Sequence, residues 1–531
     1  LEIARMAKRK RERWGSQLGV ILAVTGSAVG LGNFLRFPGQ AAKYGGGAFL
    51  IPYLVAFLIV GLPMAWAEWA LGRYGGACGH NSSPGIFRVL LGRKGSYAGI
   101  LGTLMPLMIL TYYMFVEAWC LAYAWDYLTG VFARLGTDLG AIENHFMSFV
   151  GAGENGSLFK TAVGARTLFF FGLCFLANMV LIYRGISRGI ERFCNWAMPL
   201  LVLCAVVVLV RVLTLPANPL HPEQTVINGL GYLWNPVKPG ETLWSVLSRP
   251  EVWLAATGQI FFSLSVGFGL ILTYASYLRP EDDVALSGLT ACAGNEFCEV
   301  VLGGMIAIPA AFVFLGPAVV QDPPGTFGMG FVTLPNVFNH MPLGSMFGFL
   351  FFFLLFLAAI TSSLSMMQPS IALLEEGLNI GRKASVLILT SILMLGGLFV
   401  TYFSKGFTAL DTLDFWMANF FIFIFATFQS IVFAWGLGIR RGMEELERGA
   451  HIRLPRILPF VLKYVSPVYL LAVFALWAWR NLPERWNAII HPPADGPPVV
   501  LLSVLFILGV GAFFVWVVSR ANRIWDKEEI S

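Results

Sequence analysis

GSAVGLGNFLRFP, residues 26–38, lies in the middle of the first long apolar run and decides how the rest of the chain is read. The run 18–42 is long enough to cross a bilayer, which takes about 20 apolar residues. Yet it carries Gly26, Gly30 and Gly32, followed by Asn33 and Arg36. Glycine inside a helix is unfavourable by roughly 1 kcal/mol relative to alanine, and a charge at membrane depth costs about 2.5–3.5 kcal/mol on insertion scales. A span built only to cross lipid would carry neither. The stretch predicts a helix broken at Gly30–Gly32, its freed carbonyl and amide groups turned towards a buried polar site.

The surrounding composition agrees. The chain of 531 residues is 57% hydrophobic and 12% charged, with mean hydropathy +0.71. Soluble domains carry about 25% charged residues, so this is an all-α polytopic membrane protein, with the lipid bilayer as its main partner. The net charge of +6 sits in short loops beside spans and predicts no nucleic-acid partner. Seven cysteines and six histidines are scattered, without metal-ligand spacing or a disulfide framework. The basic start at 8–13 runs straight into a full-length span, so no cleavable signal is expected.

Twelve apolar runs are long enough to be transmembrane helices: 18–42, 49–74, 97–129, 165–183, 190–214, 251–278, 283–314, 343–375, 384–403, 408–437, 457–480 and 498–519. Between them, 130–163 reads as an external loop and the Pro-rich 315–342 as a re-entrant cap. A second interruption, SLSVGFG at 263–269, falls in the sixth run. Spans one and six hold the same place in two successive groups of five, and an odd number of helices makes the second group insert upside down. The chain thus divides into an N-terminal segment 1–17, a first five-helix repeat 18–214, an external loop 215–250, an inverted repeat 251–437, and a last helix pair with tail, 438–531. Lys and Arg gather at the N-terminus, 88–94, 184–192, 440–456 and 520–527, which places both ends in the cytoplasm. Interrupted helices at matching positions point to a transporter's binding site.

The polar residues inside the spans are few. They are Tyr112 and Tyr113 in the third, Gln259, Ser263 and Ser265 in the sixth, and Asn295 and Glu299 in the seventh. The eighth adds Thr361, Ser362 and Ser363, and the tenth Asp414. Hydroxyls, amide oxygens and free carbonyls are hard ligands, and few carboxylates favour a monovalent cation, which points to sodium. A serine in such a helix serves equally by bonding back to a carbonyl one turn away. Arg36 and Asp414 are functional by default as intramembrane charges. Glu68 and Glu117 could lock helices together or bind substrate. No nucleophile–base pair or metal cluster suggests an enzyme, and no organic cofactor is expected.

The motifs AVGLGNFLRFP, GGGAFLIPY, EWALGRYGG, GQIFFSLSVGFG, TYASYL, LSGLTACAGNE, FVTLPNVF, AITSS, MQP and LDFW run from span one to span ten. In them the chain closely resembles the neurotransmitter:sodium symporter family, its bacterial amino-acid carriers more than its animal members. The resemblance implies the five-plus-five inverted repeat known as the LeuT fold. It implies one sodium on Ala28, Asn33, Ser263 and Asn295, where Ser263 stands for a threonine of the bacterial relatives, and a second on Gly26, Val29, Ala358, Thr361 and Ser362. The substrate carboxylate would meet the amides of Leu31 and Gly32 and the Tyr113 hydroxyl, at the positive end of a half-helix. Its ammonium would meet carbonyls near Ala28 and Phe262 and the Ser265 hydroxyl. Ser263 belongs to both sodium and substrate sites. Ile109, Phe262, Phe268, Ser362 and Met366 would line the side-chain pocket, with Phe268 as lid.

The resemblance also implies an outer gate of Arg36 and Asp414 with Gln259 beside them, and an inner gate of Arg11 and Glu376 helped by Trp14 and Tyr277. Gly30 stands where monoamine carriers have aspartate. Glu299 stands where chloride-dependent members carry serine, so it acts as a chloride-surrogate carboxylate. The expected activity is sodium-coupled symport of small neutral, hydrophobic amino acids across the cell membrane, independent of chloride. A sodium-bound receptor without net transport, or a carrier of biogenic amines or osmolytes, is the alternative that the residues leave open.

Overall fold

A computed structural model describes residues 12–237, 242–322, 325–492 and 496–530, and among these every regular element is helical. Among the described residues ten helices are long and apolar enough to cross a membrane, and the pair Gln17–Ala28 and Gly32–Lys43, bent by 47°, makes an eleventh when taken as one span. The sixth apolar run forms Pro250–Leu264 and Leu270–Ala275, separated by residues 265–269. Both interruptions predicted from glycine content are therefore present, in the first and sixth positions.

The third span (Arg93–Leu128) and the eighth (Gly344–Gly377) form the centre. Within their apolar windows 94% and 78% of residues are buried, against 28% in the eleventh (Leu458–Ile490) and twelfth (Val499–Lys527). A helix apolar on all sides is stable either in the protein core or against lipid. Tertiary packing, not hydropathy, separates the two cases.

Spans one, two, six and seven pack with their backbones almost touching. A Cβ on Gly72 or Gly76 of the second span (Gly46–Ala77) would lie 2.3 Å from Leu272 O or 2.0 Å from Ser276 O. On Gly303 of the seventh span (Val284–Leu315) it would lie 2.0 Å from Asn33 O. Small residues at such interfaces let helices approach where dispersion, rather than a hydrophobic drive, holds them together.

Two connections contain helices of their own. The stretch read as an external loop contains the amphipathic helix Leu139–Val150, capped by Asp138 and burying Ile142, Phe146 and Phe149. The Pro-rich 315–342 folds into short helical pieces, among them Leu334–His340. On the face that carries the first helix's N-terminus, the Asp283 carboxylate accepts from the Leu286 amide (2.9 Å) and from the His451 amide and Nδ1 (2.8 and 2.9 Å). Burial pushes that carboxyl up, but these donors outweigh it and hold it below the ordinary aspartate value.

Candidate functional site

The first interruption builds the site. Val29 ends the first half-helix by donating to Thr25 O (2.6 Å), and the next amide, Gly30, donates to Asn33 Oδ1 instead (2.8 Å). Asn33 Nδ2 donates to Asn295 Oδ1 (2.8 Å) and Glu299 Oε2 (3.2 Å). Asn295 Nδ2 donates to Ser263 Oγ (2.6 Å), and Gln259 Nε2 to Glu299 Oε1 (2.7 Å). All five side chains are buried. Residues from spans one, six and seven thus share one network. Its amide and hydroxyl oxygens keep a second lone pair each, a donor set that suits a hard monovalent cation.

A second oxygen cluster lies between spans one and eight. Thr361 Oγ1 lies within reach of Leu357 O (2.9 Å) and Ala358 O (3.1 Å), and Ser362 Oγ within reach of Ala358 O (2.9 Å) and Gly26 O (3.3 Å). A Cβ on Gly26 would stand 3.2 Å from Thr361 Cβ, so the glycine permits this approach. Val29 is fully buried in the same segment.

The sixth span stops because Ser265, Gly267 and Gly269 all take positive φ (54°, 81° and 83°), a conformation that glycine adopts without strain. Ser265 Oγ then donates to Ser27 O (3.1 Å), and the freed Gly267 amide donates to Glu68 Oε1 (3.1 Å). Between the two breaks lies a cavity of about 40 Å3, measured as space for the centre of a water molecule. Ala28, Leu31, Gly32, Ile109, Tyr113, Phe262, Ser265, Phe268, Ser362 and Met366, ten of the residues named from the sequence as substrate contacts, line it. Ser263 does not, because its hydroxyl is turned to Asn295. Gly30 also lines it, and a Cβ there would meet Ser362 Oγ at 3.0 Å and the Tyr113 hydroxyl oxygen at 3.1 Å.

A larger vestibule of about 310 Å3 shares Leu31, Gly32, Tyr113 and Phe262 with this cavity and adds Arg36, Tyr112, Asp411 and Asp414. The ring between the two spaces is Phe262, with the Arg36 guanidinium 4.5 Å above its centre. Phe268, expected as the lid, touches only the inner cavity, whereas Phe262 lines both spaces. Asp414 accepts from the Tyr112 hydroxyl (2.7 Å) and Asn419 Nδ2 (2.8 Å). Among the described residues no ion pair joins it to Arg36. Gln259, expected beside that pair, is turned to Glu299 instead.

On the opposite side Trp14 Nε1 donates to Tyr274 O (2.9 Å), and Gln368 Nε2 donates to the Tyr277 hydroxyl (3.0 Å). Glu191 accepts from the amides of Gly15 (2.8 Å) and Ser16 (3.0 Å). Arg382 links Glu12 (3.2 Å) to Gln368 Oε1 (2.9 Å). Arg11 lies outside the described residues. Its expected partner Glu376 pairs with His80 Nδ1 (2.5 Å) and accepts from the amides of Asn81 and Ser82 (3.0 Å each), at the start of the helix Ser83–Leu91.

Sequence reasoning overlooked Ser27, Pro106 and Leu270 in the cavity wall, and Asn178, which binds Glu117. Ser27 and Asn178 were open to discovery as polar residues inside apolar runs. Pro106 and Leu270 carried no such signal.

A sequence model of the sodium:neurotransmitter symporter family matches residues 11–136 and 162–521. The chain is 30% identical over 520 residues to an uncharacterized sodium-dependent transporter of Methanocaldococcus jannaschii, covering 95% of this chain and 100% of that one. It is 26% identical to sodium-dependent nutrient amino acid transporter 1 of Drosophila ananassae, covering 97% and 86% respectively. Among solved structures, MhsT in complex with L-phenylalanine matches with TM-score 0.74 and 28% identity, covering 88% of this chain and 99% of that one. The interrupted helices, the oxygen clusters beside them and these matches agree: the chain is a multi-pass, sodium-dependent transporter rather than an enzyme, and it belongs to the sodium:neurotransmitter symporter family.

Proposed function

We propose that this transporter carries small to mid-sized neutral amino acids, hydrophobic ones foremost, together with sodium and without a need for chloride. The observation that carries the reading is Gly30. At this wall of the cavity an added Cβ would already press on Ser362 Oγ and the Tyr113 hydroxyl, so no side-chain carboxylate is available to hold an amine. A substrate that brings its own carboxylate fits the exposed amide end at Leu31 and Gly32 and the Tyr113 hydroxyl. The L-phenylalanine held by MhsT and the nutrient amino acid transporter among the relatives support this class.

Two sodium sites follow from the two oxygen clusters. The first comprises Ala28, Asn33, Ser263 and Asn295 and adjoins the substrate carboxylate. The second comprises Gly26, Val29, Ala358, Thr361 and Ser362. Glu299, bonded to Asn33 and Gln259, supplies the negative charge that a chloride would otherwise bring. Sodium and substrate each raise the other's affinity because the carboxylate lies against the first ion, and that linkage is reciprocal. Binding lowers the Phe262 lid and draws Arg36 towards Asp414. Release requires Trp14, Tyr277 and the Glu12–Arg382 link to part. The protein works in the cell membrane with both termini in the cytoplasm, the orientation set by its Lys- and Arg-rich loops.

Uptake of labelled leucine into proteoliposomes tests this, with an inward sodium gradient or choline in its place, and gluconate replacing chloride throughout. Concentrative uptake that needs sodium alone is the expected result. Failure of alanine, leucine, methionine and phenylalanine alike to be taken up or to displace a bound label would overturn it.

A further inference from the structure

Glu117 lies in the middle of the central span, fully buried, and no ion pair reaches it among the described residues. Its surroundings can be settled by counting hydrogens. Ser363 Oγ stands 2.6 Å from Asn178 Oδ1, 2.9 Å from Glu117 Oε2 and 3.0 Å from Ile360 O. A hydroxyl has one hydrogen to give. Asn178 Nδ2 has two, and meets both carboxylate oxygens (3.0 and 3.1 Å) and Cys174 O (3.0 Å).

With an ionised Glu117 the count fails. If Ser363 donates to Asn178, its lone pairs face a carboxylate at 2.9 Å. If it donates to Glu117, they face the Asn178 carbonyl at 2.6 Å, the shortest contact of the set. Exchanging the oxygen and nitrogen of Asn178 is worse, because its carbonyl would then face both Glu117 oxygens and Cys174 O. One more hydrogen, on Glu117 Oε2, gives a donor to every contact among Glu117, Ser363 and Asn178, with none left over for the backbone carbonyls of Ile360 and Cys174.

We propose that Glu117 is a resident proton site. Its carboxyl is the neutral acid and donates to Ser363 Oγ, which donates to Asn178 Oδ1, while Asn178 Nδ2 donates back to Glu117 Oε1. This closed ring clips the third, fourth and eighth spans together without placing a bare charge in the core, where an unpaired ion is costly. It also has a position that matters for transport. Tyr113 lies one turn before Glu117 on the same helix face, and Ser362 immediately precedes Ser363. The ring therefore fixes the Tyr113 hydroxyl and the Ser362 hydroxyl, which face the same side of Gly30, and Glu117 is a positioning residue for both. The titratable groups around it are Tyr113 and Cys120 on its own helix and Cys174 on the fourth span, none of them a cation. The proton stays in place as the transporter turns over.

The test is infrared spectroscopy of the full-length protein in lipid vesicles, comparing wild type with Glu117→Gln at neutral pH, with and without sodium. Glutamine offers the same donor and acceptor as the neutral acid. The expected difference is loss of a protonated-carboxyl C=O band, unchanged by sodium. Loss of carboxylate bands instead, or a band that vanishes on adding sodium, would overturn the proposal. Ser363→Ala removes the acceptor and should move the same band to higher wavenumber, and an unmoved band would break the ring. Apparent sodium affinity should stay within about twofold in Glu117→Gln but weaken by about tenfold in Glu117→Ala. Equal damage by both substitutions would refute the neutral acid. The spectra do not depend on which substrate is carried, so they stand apart from the amino-acid reading.

Discussion

The two ends of the transport path are built from similar residues but joined differently. On the Trp14 side, polar contacts cross between elements at hydrogen-bond distance: Trp14 to Tyr274 O, Gln368 to Tyr277, Glu191 to two amides, Arg382 to Glu12. On the Asp414 side, Arg36 rests on the Phe262 ring and Asp414 is occupied by Tyr112 and Asn419, with the vestibule between them. One side is closed by many small bonds to backbone and side chain. The other is held by charges that have found local partners and have yet to meet. A ligand shifts an equilibrium between two forms only through its differential affinity for them, and under the proposed function the cavity next to the unjoined side would supply that difference.

The largest expected effect is on the closed side. Trp14→Ala deletes a ring that is 6% exposed, its bond to Tyr274 O and its edge contact at 5.1 Å. Truncating a buried aromatic costs about 3–5 kcal/mol. The Trp14 side should therefore open in the absence of substrate, seen as labelling of a cysteine introduced at Ser276 and as loss of leucine binding. If the variant binds leucine normally, the asymmetry between the two ends is not what holds the resting form.

Arg36→Gln should do the reverse: little change in thermal stability, because its charge has no ion-pair partner to lose among the described residues, but a fall in uptake of about tenfold or more. A hydrogen bond to a charged group contributes about 1.5–3 kcal/mol, and in this case only after closure. Equal loss of stability and uptake would mean that Arg36 already supports the resting structure. Tyr112→Phe frees Asp414 from one bond and should cost about 1.5 kcal/mol in stability, the low end for a bond to a charged group, read as a small drop in melting temperature.

The smallest effect lies at the His451 clamp. Because the folded Asp283 carboxyl is held below its ordinary value, near 3.9 in unfolded chains, its contribution to stability is complete above that value. It is lost as pH falls through the lower folded value. Melting temperature measured from pH 7 down to pH 3 should fall less steeply in Asp283→Asn than in wild type. A parallel pair of curves would remove Asp283 from the acid response.

Most of the site could be read from the chain because intramembrane polarity is expensive and therefore informative. Asn33, Ser263, Asn295 and Glu299 were each visible as polar residues in apolar runs, and they do converge. Side-chain direction was not visible. Gln259 lay close enough in sequence to the vestibule to read as a gate residue, yet its amide turns to the carboxylate buried behind it. Phe262 and Phe268 are both aromatic and both line the cavity. Only the placement of the vestibule shows which of them lies between it and the cavity. Glu376 read as one half of an ion pair with Arg11, which lies outside the described residues; the two backbone amides and His80 that also meet its carboxylate carried no signal in the sequence. Such competition between nearby donors is a property of three-dimensional placement.

By itself, the sequence determined the membrane class, the number and order of the apolar runs, the two interrupted helices and the chemistry of the groups available at the interruptions. These depend on local costs: glycine in a helix, charge in lipid, backbone groups without water. The tertiary structure decided which apolar helices are buried in the core and which stay exposed at its outside, because both are equally hydrophobic. It also decided how the buried hydrogen bonds are shared. A hydroxyl such as Ser363, with three oxygens in reach and one hydrogen, has no assignment until helices far apart in the chain are brought within 3 Å of it.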